Sequence, residues 1–469
     1  MIKWIDPSSK RWTAVWGLLS LLILIGGVAL ISSGPTGTLA GVKTTVKTAY
    51  RAVARPVTPS DHLKIPRARQ AHGRRGIPTG RGIIVAQVEG APSSYAPNTK
   101  DQHFRGVRFI ALEGQGRPSG HATFAAKQIF GKTGVAPGVK LVYNMSYRGF
   151  LNKHCLNAAS ALPPTAGKAK VYTHSWILSA KGAYANDILN RIDYLIDTQD
   201  VIMVVGVNNG SKTSVPPLLA GAYNVISVGT WTGNNSNGYT PIGIAGPGRC
   251  KPEVVGPSSK TSFATPMVAG VAARLLEKAY GQKDKTWRKS EVIKALILGG
   301  AESFGGFKTE KGKPLSKQIG AGRVRFDRSY LMQIAGNQKS GLIKQTNAWS
   351  YRSSRKGQSY TYAFTLRGTC PQLSATLVWN RQVAGKTLVH PKTKQKQWVS
   401  KTALADFDLE LIHIDSRGNQ RVIQSSKSKI DNVERITANK LKAGRYKLIV
   451  KRADKLPFVW DYALAWRMD

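Results

Sequence analysis

The sequence predicts a layered α/β chain: a parallel sheet with helices on both faces, an antiparallel β-sandwich after it, and an apolar, membrane-spanning segment before it. Three observations predict this. Short apolar runs alternate with helical patterns between residues 80 and 337, apolar and polar residues alternate in short segments from 338 onwards, and residues 14–31 form one uncharged apolar stretch.

The N-terminal stretch reads AVWGLLSLLILIGGVALI, with Lys10 and Arg11 just before it. Its length approaches the ~20 residues that cross a bilayer core and exceeds the ~7–15 of a signal-peptide core. Residues 1–32 therefore read as a membrane anchor, with a signal segment cut near Thr38-Leu39-Ala40 as the alternative. Basic residues lie on both sides (Lys3, Lys10 and Arg11; Lys43, Lys47, Arg51 and Arg55), so charge votes only weakly on orientation. Residues 33–79 are basic and aperiodic, with Asp61 as their single acid, and read as an extended, solvated linker.

The next region, 80–337, carries apolar runs at 83–88, 139–143, 171–173, 201–207 and 225–228, with helical patterns at 122–129 and 183–197 between several of them. Buried strands separated by helices form parallel sheets, and the working residues of such sheets gather beyond the carboxyl ends of the strands. Region 338–469 alternates apolar and polar residues at 360–366, 374–379, 407–414, 444–450 and 462–466, which predicts short antiparallel strands in a sandwich.

Composition bounds the function classes. The 469 residues suit two or three domains at about 150 residues each. Gly at 47 and Pro at 23 exclude a collagen-like chain, and three Cys exclude a disulfide-built scaffold or a four-cysteine zinc module. An oxidising compartment would permit one bridge, and Cys155 with Cys250 is the only pair inside region 80–337. Lys and Arg number 69 against 25 acids, a formal charge of +44. The excess is spread over all regions and accompanies no RNP, zinc-finger or helix-turn-helix pattern, so no specific nucleic acid is expected. Attraction to anionic lipid, envelope polymer or acidic substrates fits a dispersed field better.

Four element ends hold complementary polar residues. Glu89 ends the first buried run, Asn208 follows the run at 201–207, and His121 opens the helix at 122–129 after Ser119-Gly120. Lys260-Thr261-Ser262 leads into an apolar helix whose Pro266 suits a first turn, which places Ser262 at a helix N-terminus where free N–H groups favour developing negative charge. An acid to orient an imidazole, an imidazole to take a hydroxyl proton, and an amide to hold an oxyanion are the tools of a nucleophilic hydrolase.

These segments resemble the subtilisin-like serine proteases over residues 80–335. The resemblance rests on VAQVEG, SGHATFAAKQIFG with GVAPGVKLV, VIMVVGVNNG, and most specifically KPEVVGPSSKTSFATPMVAGVAARLLE, in the family order acid, His, Asn, Ser. It implies a three-layer subtilisin-like fold and a serine endopeptidase with Ser262 as nucleophile, His121 as general base, Glu89 as orienting acid and Asn208 as oxyanion donor. Ser175 and the 205–207 backbone, Gly206 included, would line the cleft for an extended protein or peptide substrate. The departures are Glu89 where the family has Asp, Lys260 where Gly is usual before Thr-Ser, and Ile177 where the cleft loop usually has Gly. Asp101 is the alternative acid. Sedolisins, which use Glu and Asp without His, are disfavoured by His121 and Asn208. The competing reading is a catalytically inactive scaffold that binds extended peptides or anionic surfaces.

The segments ATLVWN, ADFDLELI, IDNVERI and AGRYKLIV resemble the β-domain that follows the catalytic domain in some of these proteases. That resemblance implies no required cofactor, with calcium as an optional ligand of Asp406, Asp408, Asp431 and Asn432. The anchor and the protease chemistry together lead to the expectation of an extracytoplasmic, membrane-anchored enzyme, or a secreted one if the N-terminal segment is removed.

Overall fold

The computed structural model describes residues 58–71, 76–114, 116–158 and 160–469. The apolar segment 14–31 lies outside them. Among the described residues, no helix is long and apolar enough to cross a membrane.

Within the tract read as a linker, residues 33–57 lie outside the described residues, and residues 58–71 are helical and docked rather than extended. Thr58 and Asp61 cap each other reciprocally at the start of α1 (Pro59–His62), and α2 (Ile65–Ala71) follows at once. Leu63, Ile65 and Ala68 are buried in the main core, and the Phe326 N–H donates to the Leu63 carbonyl at 3.0 Å. Three apolar residues spaced along one short face suffice for docking, a signal hidden by the basic average of the surrounding tract.

Seven parallel strands follow: β1 (Val85–Glu89), β2 (Arg108–Ala111), β3 (Leu141–Ser146), β4 (Val171–His174), β5 (Ile202–Gly206), β6 (Ile226–Thr230) and β7 (Val254–Gly256), in the order β2-β3-β1-β4-β5-β6-β7. Residues of β1, β4, β5, β6 and β7 are buried throughout, as expected for a sheet covered on both faces. One face packs on α3 (Gly120–Ile129), α5 (Thr261–Tyr280), α6 (Ser290–Gly300) and α7 (Phe326–Ala335). The other is covered by α4 (Gly182–Gln199), whose Ile188, Leu189, Ile192, Leu195 and Ile196 enter a second core. Strand order reverses around β1, so a crevice opens beyond its carboxyl end, where Glu89 lies.

The C-terminal region is two antiparallel-rich sheets. Gly341–Leu342, Ser359–Leu366, Gly444–Arg452, Phe407–Ile414 and Gln420–Ser426 make one; Asn347–Ser354, Trp460–Met468, Cys370–Val378 and Val433–Leu441 make the other. Their inner faces bury Trp379, Phe407, Tyr362, Trp460, Tyr462 and Trp466. The sandwich is not a detached module: α6 is buried along its whole length and packs against Trp460–Met468 and Cys370–Val378. The buried Arg381–Asp193 pair, 2.7 Å apart, ties it to α4.

All three cysteines are free and buried, so Cys155 and Cys250 do not form a bridge. Cys155 instead sits against the Tyr172 hydroxyl, 3.7 Å away. Among the described residues, no group of three or more His, Cys, Asp or Glu side chains is gathered as metal ligands. Asn432 spends its amide on the Tyr223 and Trp379 carbonyls, and Asp431 accepts from the Ser428 hydroxyl.

Candidate active site

Glu89 is the last residue of a fully buried strand and is itself only 2% exposed. A carboxylate taken out of water needs hydrogen-bond partners, and its two oxygens have one each. Gln87 Nε2 donates to Oε1 at 2.8 Å, and His121 Nδ1 lies 2.8 Å from Oε2. His121 is held there by the start of α3, where the Ser119 hydroxyl accepts from the Ala122 N–H at 2.9 Å. The bond to Glu89 raises the imidazole pKa above its ordinary 6.5, with burial pulling the other way. A carboxylate at Nδ1 demands the proton there, which leaves the Nε2 lone pair as an acceptor. The extra methylene of Glu is accommodated. Asp101, the alternative acid, is committed elsewhere: it pairs with Lys127 at 2.5 Å and caps the turn Gln102–Phe104.

Ser262 is the second residue of α5, as its helix-start motif implies. Pro266, however, lies six residues in rather than in the first turn. Having no N–H, it leaves the Ser262 carbonyl, four residues earlier, without its helical partner. The Ser175 hydroxyl fills that role, donating to the Ser262 carbonyl at 2.8 Å. Ser175 thus braces the backbone of the proposed nucleophile from the end of β4. Gly206 is buried beneath the same turn: a Cβ there would lie 3.0 Å from Thr265 Oγ1, so its small size permits β5 and α5 to approach.

Asn208 follows β5 with its backbone pinned by Ser236, whose hydroxyl accepts from the Asn208 N–H at 3.0 Å and whose N–H donates back at 2.8 Å. Its neighbour Asn209 accepts from the Thr261 N–H at 2.9 Å and from the Thr261 hydroxyl at 3.2 Å. The loop after β5 is thereby fastened to the residue before Ser262. The Phe263 ring lies 5.8 Å from the His121 ring and 4.3 Å from that of Phe124, which is 50% exposed. Beside this pair a cavity of about 570 Å³ is lined by Asn98, Pro118, Ser119, Gly120, Thr123, Phe124 and Lys127. Lys260 and Ile177 are exposed.

Glu89 is thus bonded to His121 directly, Ser175 is bonded to the Ser262 carbonyl, and the loop that carries Asn208 is tied to Thr261 through Asn209, with Gly206 packed beside Thr265. His121 Nε2 and Ser262 Oγ are not hydrogen-bonded to each other. Gln87, Asn209 and Phe263 were not singled out from sequence. Gln87 shares a strand face with Glu89 by the two-residue period, and the other two are chain neighbours of residues that were.

Residues 113–322 match the Subtilase family of peptidases, S8. This part of the chain is a subtilase domain. The match takes in His121, Asn208 and Ser262 and begins after Glu89, and the domain is that of a serine-type endopeptidase. Similar solved structures include the prenylagaramide maturation protease PagA, with 19% identity, a TM-score of 0.40, and coverage of 56% of this chain and 96% of that one. Fervidolysin from Fervidobacterium pennivorans, a keratinolytic enzyme related to subtilisin, has 16% identity and a TM-score of 0.37 over 80% of this chain and 74% of its own. The PatG macrocyclase in complex with peptide has 16% identity and a TM-score of 0.42 over 61% of this chain and 100% of its own. No curated protein matches the sequence.

Proposed function

We propose that the subtilase domain hydrolyses peptide bonds through a Ser-His-Glu triad. Ser262 Oγ attacks the scissile carbonyl carbon while His121 Nε2 takes its proton. The Asn208 carboxamide and the Ser262 N–H hold the oxyanion. As the tetrahedral intermediate collapses, the leaving amine takes the proton from His121, and water then releases the acyl group by the reverse sequence. Glu89 holds the imidazole in the required tautomer and stabilises the imidazolium. The observation that carries this reading is the buried Glu89 carboxylate 2.8 Å from His121 Nδ1. The Asn208 side chain supports it, since its amide makes no hydrogen bond to any described residue. Extended protein or peptide chains are the proposed substrates. The apolar run at 14–31 supports an anchored, extracytoplasmic placement.

A second reading is favoured by the missing bond between His121 and Ser262: a scaffold that binds extended peptides without cutting them. Digestion of casein by the full chain, with Ser262→Ala as the blank, separates the two. Fragments from the wild type alone support the peptidase. An intact substrate with both proteins favours the scaffold.

A further inference from the structure

The acid and the base of the proposed triad sit on different elements, a strand and a helix, and one side chain is bonded to both. Gln87 is 1% exposed and lies two residues before Glu89 on the same face of β1. Its two amide protons go to Glu89 Oε1 and to the Ala122 carbonyl, each at 2.8 Å. Ala122 directly follows His121. Neither an ionised carboxylate nor a carbonyl oxygen can donate, so the Gln87 amide is held nitrogen-first. Its oxygen accepts from Asn144 Nδ2 at 3.2 Å, and Asn144 is the residue paired with Gln87 in the adjacent β3. The amide is fixed from three sides and spans the gap between the acid-bearing strand and the base-bearing helix.

Glu carries one more rotatable bond than Asp, so a Glu orienter has more freedom to lose when its carboxylate is fixed. We propose that Gln87 is the positioning residue that lets a glutamate serve in the orienting role, by locking the Glu89 carboxylate and the first turn of α3 into one geometry. This rests on the Ser-His-Glu reading above. A strand residue with merely structural value would stabilise the sheet; a positioning residue acts on the rate through Glu89 and leaves its mark on the His121 titration.

The test measures the rate at which a fluorophosphonate probe labels Ser262 in the full chain between pH 5 and pH 9. The proteins are wild type, Gln87→Met, Gln87→Asn, Glu89→Ala and the double variant Gln87→Met/Glu89→Ala, each checked for a wild-type unfolding transition. Gln87→Met is expected to slow labelling about 10–100-fold, by analogy with the loss seen when the hydrogen-bond partners that orient metal ligands are removed. Its acid limb should move to lower pH, because a misplaced carboxylate raises the His121 pKa less. In the Glu89→Ala background the same substitution should cost much less, since two residues that act as a unit do not add and only the bond to the Ala122 carbonyl is left to lose. Gln87→Asn keeps the amide one methylene short and covers the case in which the Met variant does not fold; it should lose rate and shift its acid limb in the same direction. Unchanged rate and pH limb in a folded Gln87 variant would overturn the inference, as would equal losses with Glu89 and with Ala at position 89. Absence of label on wild-type Ser262 is a different result: it removes the triad reading itself, and the inference with it.

Discussion

Replacing Glu89 by Gln preserves the length and shape of the side chain while exchanging one oxygen for an NH2 group, and the structure dictates which way that amide must face. Gln87 Nε2 donates to Oε1, so the carbonyl oxygen of the new amide is drawn to that side and its NH2 is turned towards His121 Nδ1. A donor at Nδ1 selects the tautomer with the proton on Nε2, which can no longer accept from Ser262. In a Ser-His-acid triad the equivalent amide substitution lowers the rate about 10⁴-fold through the wrong tautomer, or about 5.4 kcal/mol at ~1.36 kcal/mol per factor of ten. The pH profile should change as well. The hydrogen bond to Glu89 raises the His121 pKa above 6.5, and the base works only when neutral, so wild-type acylation falls as pH drops through that raised value. Without the carboxylate, the acid limb of the residual activity moves to lower pH. Fluorophosphonate labelling rates from pH 5 to pH 9 measure both. A loss below tenfold, with an unmoved acid limb, would refute the orienting role of Glu89.

Further outcomes follow from other contacts. Ser175→Ala removes the donor to the Ser262 carbonyl and should cost about 1 kcal/mol of stability; in Pro266→Ala the new N–H can make the helical bond, and the Ser175 effect should shrink, as thermal unfolding of the four proteins would reveal. Burial, assisted by Asp200 and Asp197 and opposed by Lys289, pushes the Glu291 pKa up from 4.5 to about 8. Between those values the folded chain holds a proton that the unfolded chain has released, so stability falls as pH rises through this window. Glu291→Gln should therefore raise the melting temperature at pH 9 more than at pH 5, and an equal change at both would contradict the assignment. Glu253 is buried between Lys251 and Lys294, at 3.1 and 2.9 Å. Glu253→Ala leaves both ammonium groups unpaired and should destabilise by roughly 3–5 kcal/mol in denaturant titration.

The strands that position the site were legible because a parallel sheet buries them on both faces, leaving largely apolar runs such as IIVAQV and VIMVVGV that no amphipathic surface element imitates. Strand β2 was not, since it lies at the sheet edge with none of its four residues fully buried. The hairpin Gln382–Val389/Lys396–Ala403 escaped for the same reason, most of its residues being exposed. Glu89 and His121 were legible as polar residues at element ends. Gln87 was not, because a polar residue inside an apolar run announces burial without naming the partner it will find across the sheet. Pro266 misled on the helix start: the Ser262 carbonyl that a proline beyond the first turn leaves open is met by Ser175, 87 residues before Ser262 in sequence.

Everything in this mechanism depends on an activated Ser262, which is revealed by labelling the full chain with a fluorophosphonate probe and locating the modified residue by peptide mass spectrometry. A single adduct on Ser262, lost in Ser262→Ala and slowed by orders of magnitude in His121→Ala, is the predicted result. A correctly folded wild-type chain that takes up no probe, or takes it up on another residue, would overturn the Ser-His-Glu mechanism.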